Sequence, residues 1–351
     1  MRRIGLIFAL TLFWIGAGLS LDQQLTVIIG GFLSIAPLGI LLWRHQPLLL
    51  PRHFIWWMCL VATMAVSIIW SDQRTLSWTQ MVLVASGTLW WIVARSLHDN
   101  TLFRNVVVQS VLWAGVGFTL LWFLHVFSIW SLPYQSSSLV AEASSYKNHN
   151  HIGDWWMVMM TMQFSWEWVI PGMVMLWAAR SRSAQVGLVI GVGYTAWLEH
   201  WLERYRKLVY LVLGIVLVTF VTTSSSKSTL GSRDYFVQAI AGLRYYPVGS
   251  GWGNFQRISN DTRTHWFGKN DYSTIVHCLP LEWMSGMGWL GILGIIWLGL
   301  TSWDFGWAGT KDRGIWRAAY WALLVNFCLD TTYFIPAMWW LWMIVIGLAE
   351  E

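Results

Sequence analysis

Long apolar stretches alternate with short polar turns along most of the chain, at 4–21, 24–43, 54–70, 78–94, 104–127, 207–223, 283–303, 315–330 and 334–348. A helix of about 20 apolar residues crosses the hydrocarbon of a bilayer, so these stretches predict membrane-spanning helices. The interval 152–199 permits two readings. One long helix through Met157–Ala179 is followed by a second from Ala184 to Leu198, or the chain breaks at Glu167 and Pro171 into shorter pieces. Pro171-Gly172 suits a kink or turn, because proline removes a helical hydrogen bond.

Two polar stretches stand apart. The first, 128–151, is serine-rich, and the second, 222–276, is the only long hydrophilic stretch. A connection of that length is usually functional or disordered. Within it Phe236, Ile240 and Leu243 recur at helical spacing across Arg233–Arg244, which predicts a short amphipathic helix lying on a membrane. Tyr246-Pro247 with Gly249, Gly251 and Gly253 predicts a turn-rich segment after it. The chain shows no internal repeat.

Composition agrees with the pattern. Hydrophobic residues make up 56% of 351 positions and charged residues 11%, well short of the roughly one quarter that coats a soluble protein. Residues 1–351 therefore read as one all-α polytopic membrane domain. Met1-Arg2-Arg3 and the apolar run to Leu21 resemble a signal sequence, but the run is long and no clear cleavage site follows, so it is expected to stay as a first helix. Of the 30 tryptophans, Trp56, Trp57, Trp155, Trp156, Trp339 and Trp340 fall near expected helix ends, where indoles favour the bilayer interface. Cys59, Cys278 and Cys328 are far apart in sequence and form no CxxC pair, and Cys59 and Cys328 read as buried thiols.

The formal charge of +5 needs no nucleic-acid partner, because basic residues set membrane topology. With a cytoplasmic N-terminus and a break near Glu167, twelve of the 22 Lys and Arg residues lie inside, among them Arg52, Arg95, Arg104, Arg313 and Arg317. Four lie outside (Arg74, Lys147, Arg180 and Arg182), and six fall in the long loop, whose net charge is +3. Without the break the bias weakens. The expected topology therefore has about twelve membrane segments, one or two of them short or re-entrant, and the 222–276 loop lies outside.

Three constellations could carry chemistry. Residues 147–154, Lys-Asn-His-Asn-His-Ile-Gly-Asp, put two imidazoles, two amides and a carboxylate at the mouth of a helix. His149 and His151 are two apart and would point in different directions on a helix, which disfavours one shared metal. The same residues would also serve as a helix N-terminus capped by Asn150 or Asp154. Arg180-Ser181-Arg182-Ser183 offers guanidinium forks suited to phosphate oxygens, or to snorkelling toward lipid headgroups. The long loop ends at His277-Cys278, where the chain re-enters the membrane, and its Gly-x-Gly-x-Gly run lacks the strand and helix of a dinucleotide fingerprint.

As an ordered set these motifs resemble the O-antigen ligase/O-antigen polymerase family of bacterial envelope enzymes, which includes protein O-oligosaccharyltransferases. The resemblance rests on NHNHIGD at 148–154, SRSAQVGLVIG at 181–191, SRDYFVQAIAGL and PVGSGWGNF within 232–255, and His277 followed by LEWMSGMGWLG at 281–291. It covers about 145–300. Cys278 stands where the family usually has Asn, and Ser285 lies near the position of a customary acidic residue.

The resemblance implies a metal-independent, cofactor-free transferase in the bacterial cytoplasmic membrane, with its active site on the extracytoplasmic face. It would move a glycan from a polyprenyl-pyrophosphate carrier to a hydroxyl of a glycan, lipid or protein acceptor. His277 would be the base, since imidazole exchanges protons near neutral pH. Arg182 and Arg233, supported by Arg180 and Lys227, would hold the pyrophosphate. His149, His151 and Asn254 would contact substrate. The rivals are a polytopic transporter, which should carry ionisable residues deep within its spans, and a non-catalytic scaffold of envelope assembly.

Overall fold

The computed structural model describes residues 9, 13, 23–127, 149–163, 166–198, 214, 234–266, 273–307 and 313–351. Among these the chain is all-helical. The helices are α1 (Gln23–Trp43), α2 (Phe54–Ser67), α3 (Arg74–Ser96), α4 (Thr101–Val126), α5 (His149–Met162), α6 (Trp166–Ala179), α7 (Arg182–Leu198), α8 (Asp234–Tyr245), α9 (Phe255–Trp266), α10 (Leu279–Met287), α11 (Ile292–Trp307), α12 (Gly314–Leu329) and α13 (Pro336–Ala349). Among the described residues four helical stretches are long and apolar enough to cross a membrane: Leu25–Trp43, Arg74–Ser96, Thr101–Leu124 and Leu279–Gly306. Shorter apolar helices accompany them at Phe54–Trp70, Glu167–Ala179, Gly314–Leu329 and Pro336–Ala349. These apolar helices indicate a membrane-associated protein. The runs expected at 4–21 and 207–223 lie outside the described residues, apart from Ala9, Phe13 and Gly214, which are helical.

The interval 152–199 holds three helices, but its break falls at Gln163, ahead of Glu167. Helix α6 runs through Pro171 rather than turning there. The Pro-Gly pair serves packing instead: a Cβ on Gly172 would sit 2.2 Å from the Met160 sulfur, so the missing side chain lets α5 and α6 lie close together.

Helix α13 is the centre of the bundle. Every residue from Pro336 to Ala349 is buried, as expected of a helix that is apolar all round. It packs against α3 and α12, and α12 packs in turn against α7 and α5. The tryptophans build this core. Trp57, Trp155, Trp339 and Trp340, expected at a lipid interface, are enclosed, as are Trp91, Trp283, Trp297, Trp316 and Trp342. Room for them comes from glycine notches, where a Cβ on Gly30 would lie 2.0 Å from the Trp340 ring and one on Gly87 2.4 Å from Trp339 Nε1. Trp340 Nε1 donates to Ser86 Oγ (2.8 Å) and Trp57 Nε1 to Thr88 Oγ1 (2.8 Å), so their polar edges are satisfied inside the bundle.

Charged groups gather at the end of the bundle where α12 begins and α13 finishes. Arg95 pairs with Glu350 (3.4 Å), Arg313 with Asp99 (3.2 Å), Arg317 with Glu351 (2.9 Å) and Arg52 with Asp304 (3.1 Å). Helix α12 has 16 residues, which sets this end about 24 Å from Asp330 beyond the helix's other end.

Candidate active site

At the Asp330 end the 234–266 segment folds onto the bundle. Helix α8 forms as expected, but its buried face differs from the expected one. Asp234, Gln238, Ala239, Gly242 and Leu243 are buried, whereas Ile240 is 59% exposed. The reason is a second helix, α9, which the sequence reading did not anticipate. It packs on α8 with Ile258 filling the notch at Gly242 and Ser259 Oγ donating to Gln238 Oε1 (2.7 Å).

Between α8 and α9 the glycine turn is stitched into the bundle through its backbone. Ser250 N–H donates to Ser285 O (2.9 Å), Gly251 N–H to Gly286 O (3.0 Å) and Trp252 N–H to Ser67 Oγ (3.0 Å). Ser77 Oγ donates to Trp252 O (2.5 Å). Gly249, Gly251 and Gly253 all have positive φ, a region open to glycine. These amides are committed to protein acceptors, so the run is a docking turn and not a phosphate cradle. Asn254 belongs to it: the residue is buried, and its amide donates to Ser250 O (3.1 Å). Its side chain closes the turn.

His277 stands where this segment returns to the bundle. Its φ of 58° is left-handed, which costs a non-glycine residue about 1–2 kcal/mol. Neighbouring contacts hold it there. Glu282, buried in the first turn of α10, accepts Val276 N–H through Oε2 (3.0 Å) and so closes the turn around His277. The Tyr235 ring of α8 stacks on the imidazole, with centroids 4.7 Å apart and planes 27° from parallel. On the bundle side, Nδ1 lies 3.8 Å from Asp330 Oδ1. The imidazole is 29% exposed and the carboxyl 9%, so the histidine has one edge on a buried carboxyl and part of its surface open.

Asp330 lies in the connection just beyond α12 and organises the polar core. Burial by itself pushes its carboxyl up. The polar contact with His277, the charges of His151 and His277 and the Thr331 N–H outweigh burial and hold it well below the ordinary carboxylate range. Its Oδ2 accepts Ser183 Oγ–H (3.0 Å) and its Oδ1 the Thr331 N–H (2.7 Å). Ser183 Oγ is 3.1 Å from Ser181 Oγ, and Ser181 Oγ is 3.4 Å from Asp154 Oδ1. Asn326 Nδ2 donates to the same Asp154 oxygen (2.7 Å), and Thr332 Oγ1 donates to Asn326 Oδ1. Asp154 therefore does not cap α5; it reaches across to α12. Gly153 lets the turn before α7 lie close to α5, since a Cβ there would lie 2.7 Å from Ser181 Cβ.

The motifs singled out in the sequence thus converge only in part. His277, the buried His151 and the serines flanking Arg182 meet at Asp330. Arg182 opens α7 and is half-buried; Arg180 precedes it with a left-handed φ of 51° and is exposed. Arg233 and Lys227 lie outside the described residues, as does the side chain of His149. Asp330, Asn326 and Thr332 are site residues that the sequence motifs do not include. Their one legible signal was Asn326 and Asp330, four apart at the end of an apolar run and hence on one helix face.

The cysteines also differ from expectation. Cys59 is exposed, while Cys278 and Cys328 are half-buried neighbours beside the site. Among the described residues no group of three or more His, Cys, Asp or Glu side chains is placed to hold a metal ion. Compared with known proteins, the chain matches no family model, no curated protein and no solved structure.

Proposed function

We propose that this chain is a multi-pass glycan transferase of the bacterial cytoplasmic membrane, of the O-antigen ligase/polymerase type. It takes a glycan from a polyprenyl-pyrophosphate carrier and passes it to an acceptor hydroxyl. The observation that carries this reading is the His277–Asp330 pair, with a half-open imidazole backed at 3.8 Å by a buried carboxylate, at the end of the bundle that also holds Arg180 and Arg182. His277 takes the acceptor's proton, and Asp330 stabilises the imidazolium that forms. The pyrophosphate leaves with its bonding electrons and is met by Arg182 and Arg180, with Arg233 and Lys227 supplied by the loop. Arg233 stands two residues before Tyr235 in the sequence, and Tyr235 touches the imidazole.

The charge distribution supports an arrangement of about twelve segments with the 222–276 loop outside. Arg52, Arg95, Arg313 and Arg317 are tied into the ion pairs at the far end of the bundle, the pattern that the positive-inside rule gives a cytoplasmic face.

The test is transfer of glycan from a polyprenyl-pyrophosphate donor by the purified protein in lipid. His277→Ala should lower the rate by about 10²–10⁴-fold, the usual worth of a general base. Asp330→Asn should lower it too while leaving the protein folded. Full activity of His277→Ala at normal protein levels would refute the assignment. A second reading, a proton-coupled transporter, is favoured by the fully buried Asp154 within the bundle; solute uptake abolished by Asp154→Asn without any glycan phenotype would select it.

A further inference from the structure

The polar core behind His277 contains more hydrogen-bonded links than its serines have hydrogens. Four oxygens stand in line: Asp154 Oδ1, Ser181 Oγ, Ser183 Oγ and Asp330 Oδ2, separated by 3.4, 3.1 and 3.0 Å. All four residues are buried. Each link between two oxygens needs one hydrogen, and two serine hydroxyls supply two. Were both carboxyls ionised, Ser183 would donate to Asp330 and Ser181 to Asp154. The two serine oxygens would then face each other lone pair to lone pair, in a place where an unmade hydrogen bond is costly. The third hydrogen has to come from a carboxyl.

The surroundings decide which one. Asp330 faces His277 and His151 and accepts the Thr331 N–H, and all three favour its anion. Asp154 faces the neutral amide of Asn326 from α12, the Ser181 hydroxyl from the turn before α7, and Asp330 itself. Among the described residues these are the groups it faces, and its buried Oδ2 has no hydrogen-bond partner among them. An enclosed carboxylate facing only neutral groups and a second carboxylate keeps its proton. Protonated Asp154 then donates to Ser181, Ser181 to Ser183 and Ser183 to Asp330, and every link is made. Ser181 Oγ, which also accepts Ala184 N–H (3.3 Å), has its hydrogen free for this direction.

We infer that Asp154 and Asp330 share a single proton through Ser181 and Ser183, and that Asp154 is a positioning residue that keeps Asp330 ionised and aimed at His277. The role in transfer rests on the reading of His277 as the base; the shared proton does not. During transfer the acceptor O–H bond breaks and its proton goes to the imidazole. The new glycosidic C–O bond forms as the bond to pyrophosphate breaks, and the leaving group takes the electron pair. No proton crosses the serine chain in that step. The chain's work is to hold a negative charge on Asp330 opposite the imidazolium.

Infrared difference spectroscopy of the full-length protein in lipid nanodiscs, wild type against Asp154→Asn at neutral pH, tests the shared proton directly. The expected result is a carbonyl stretch of a protonated carboxylic acid that is present in wild type, shifts in D2O, is absent from Asp154→Asn and persists in His277→Ala. Absence of such a band from the difference spectrum overturns the inference. Activity gives a second arm. The amide that replaces the acid in Asp154→Asn can donate to Ser181 but takes away the oxygen that accepts from Asn326, so this variant should lose less than Asp154→Ala, while Asp154→Ala and Ser183→Ala should each lose about 10–100-fold. Loss in Asp154→Asn equal to that in Asp154→Ala overturns the positioning role. An active His277→Ala with the infrared band intact overturns that role as well, while the shared proton stands.

Discussion

Gly249→Ala tests whether docking of the glycine turn positions the site. Gly249 has φ +82°, and an added Cβ would lie 2.3 Å from Gly286 O, 2.4 Å from Gly286 C and 2.5 Å from Gly288 N. All three are backbone atoms of α10 or its end, so no side chain can rotate away to make room. The turn has to lift, breaking the bonds from Ser250 N–H to Ser285 O, from Gly251 N–H to Gly286 O and from Trp289 N–H to Pro247 O. A left-handed alanine costs about 1–2 kcal/mol, and three hydrogen bonds are worth about 0.5–1.5 kcal/mol each. The total is about 3–6 kcal/mol, enough to raise the open fraction of the turn by about 100-fold or more. Hydrogen exchange followed by mass spectrometry on the protein in lipid should show that acceleration in peptides covering 246–254, with α13 unchanged. Transfer should fall in parallel, because α8 carries the Tyr235 ring that stacks on His277. Gly299→Ala is the control, since an added Cβ there meets nothing within 4 Å. Unaltered exchange across 246–254 in Gly249→Ala would refute the reasoning.

Three further outcomes are expected. Burial pushes the Glu350 carboxyl up to about 7 from 4.5, against the downward pull of the Arg52 N–H, Arg95 and Trp91. A carboxyl with a higher pKa folded than unfolded takes up a proton on folding, so its contribution is full below about pH 4.5 and is lost as pH rises to about 7, on the order of 3 kcal/mol in all. Thermal stability should fall across that window and Glu350→Gln should flatten the slope; an identical slope in the variant would rule the group out. Gly30→Ala should cost about 1–3 kcal/mol by overpacking against Trp340, read by thermal unfolding, with partial recovery on adding Trp340→Phe. Mild copper-phenanthroline oxidation should join Cys278 to Cys328 and leave Cys59 open to alkylation, read by peptide mass mapping; recovery of both thiols alkylated would contradict their contact.

The helical runs were legible because apolar length is a one-dimensional property. The runs at 24–43, 54–70, 78–94, 104–127, 283–303, 315–330 and 334–348 are helices where the pattern puts them. What the pattern cannot carry is which surface a helix presents to a neighbour. Phe236, Ile240 and Leu243 have helical spacing, yet α8 buries Gln238, Ala239 and Gly242, because α9 covers that side. The tryptophans follow the same rule: next to lipid an indole favours an interface, but opposite a glycine on another helix it becomes core, and Gly30 and Trp340 meet from opposite ends of the chain. His277 was visible from its place at the end of the polar loop. Its partner Asp330 was not, because a single acid between two apolar runs looks like a turn residue until the fold brings it to the histidine.

The left-handed backbone of His277 links these parts. A residue in that conformation persists only where its surroundings over-determine it, and here the restraints come from three directions. Glu282 holds the Val276 amide from α10, Tyr235 covers the ring from α8, and Asp330 faces Nδ1 from the α12–α13 connection. None of the three is local to the others in sequence. On the proposed reading, the imidazole is therefore presented to an acceptor only when the docked segment, the α10 turn and the polar core are all assembled. Loosening any one of them should cost transfer before it costs the fold, because α13 at the centre of the bundle packs chiefly on α3 and α12.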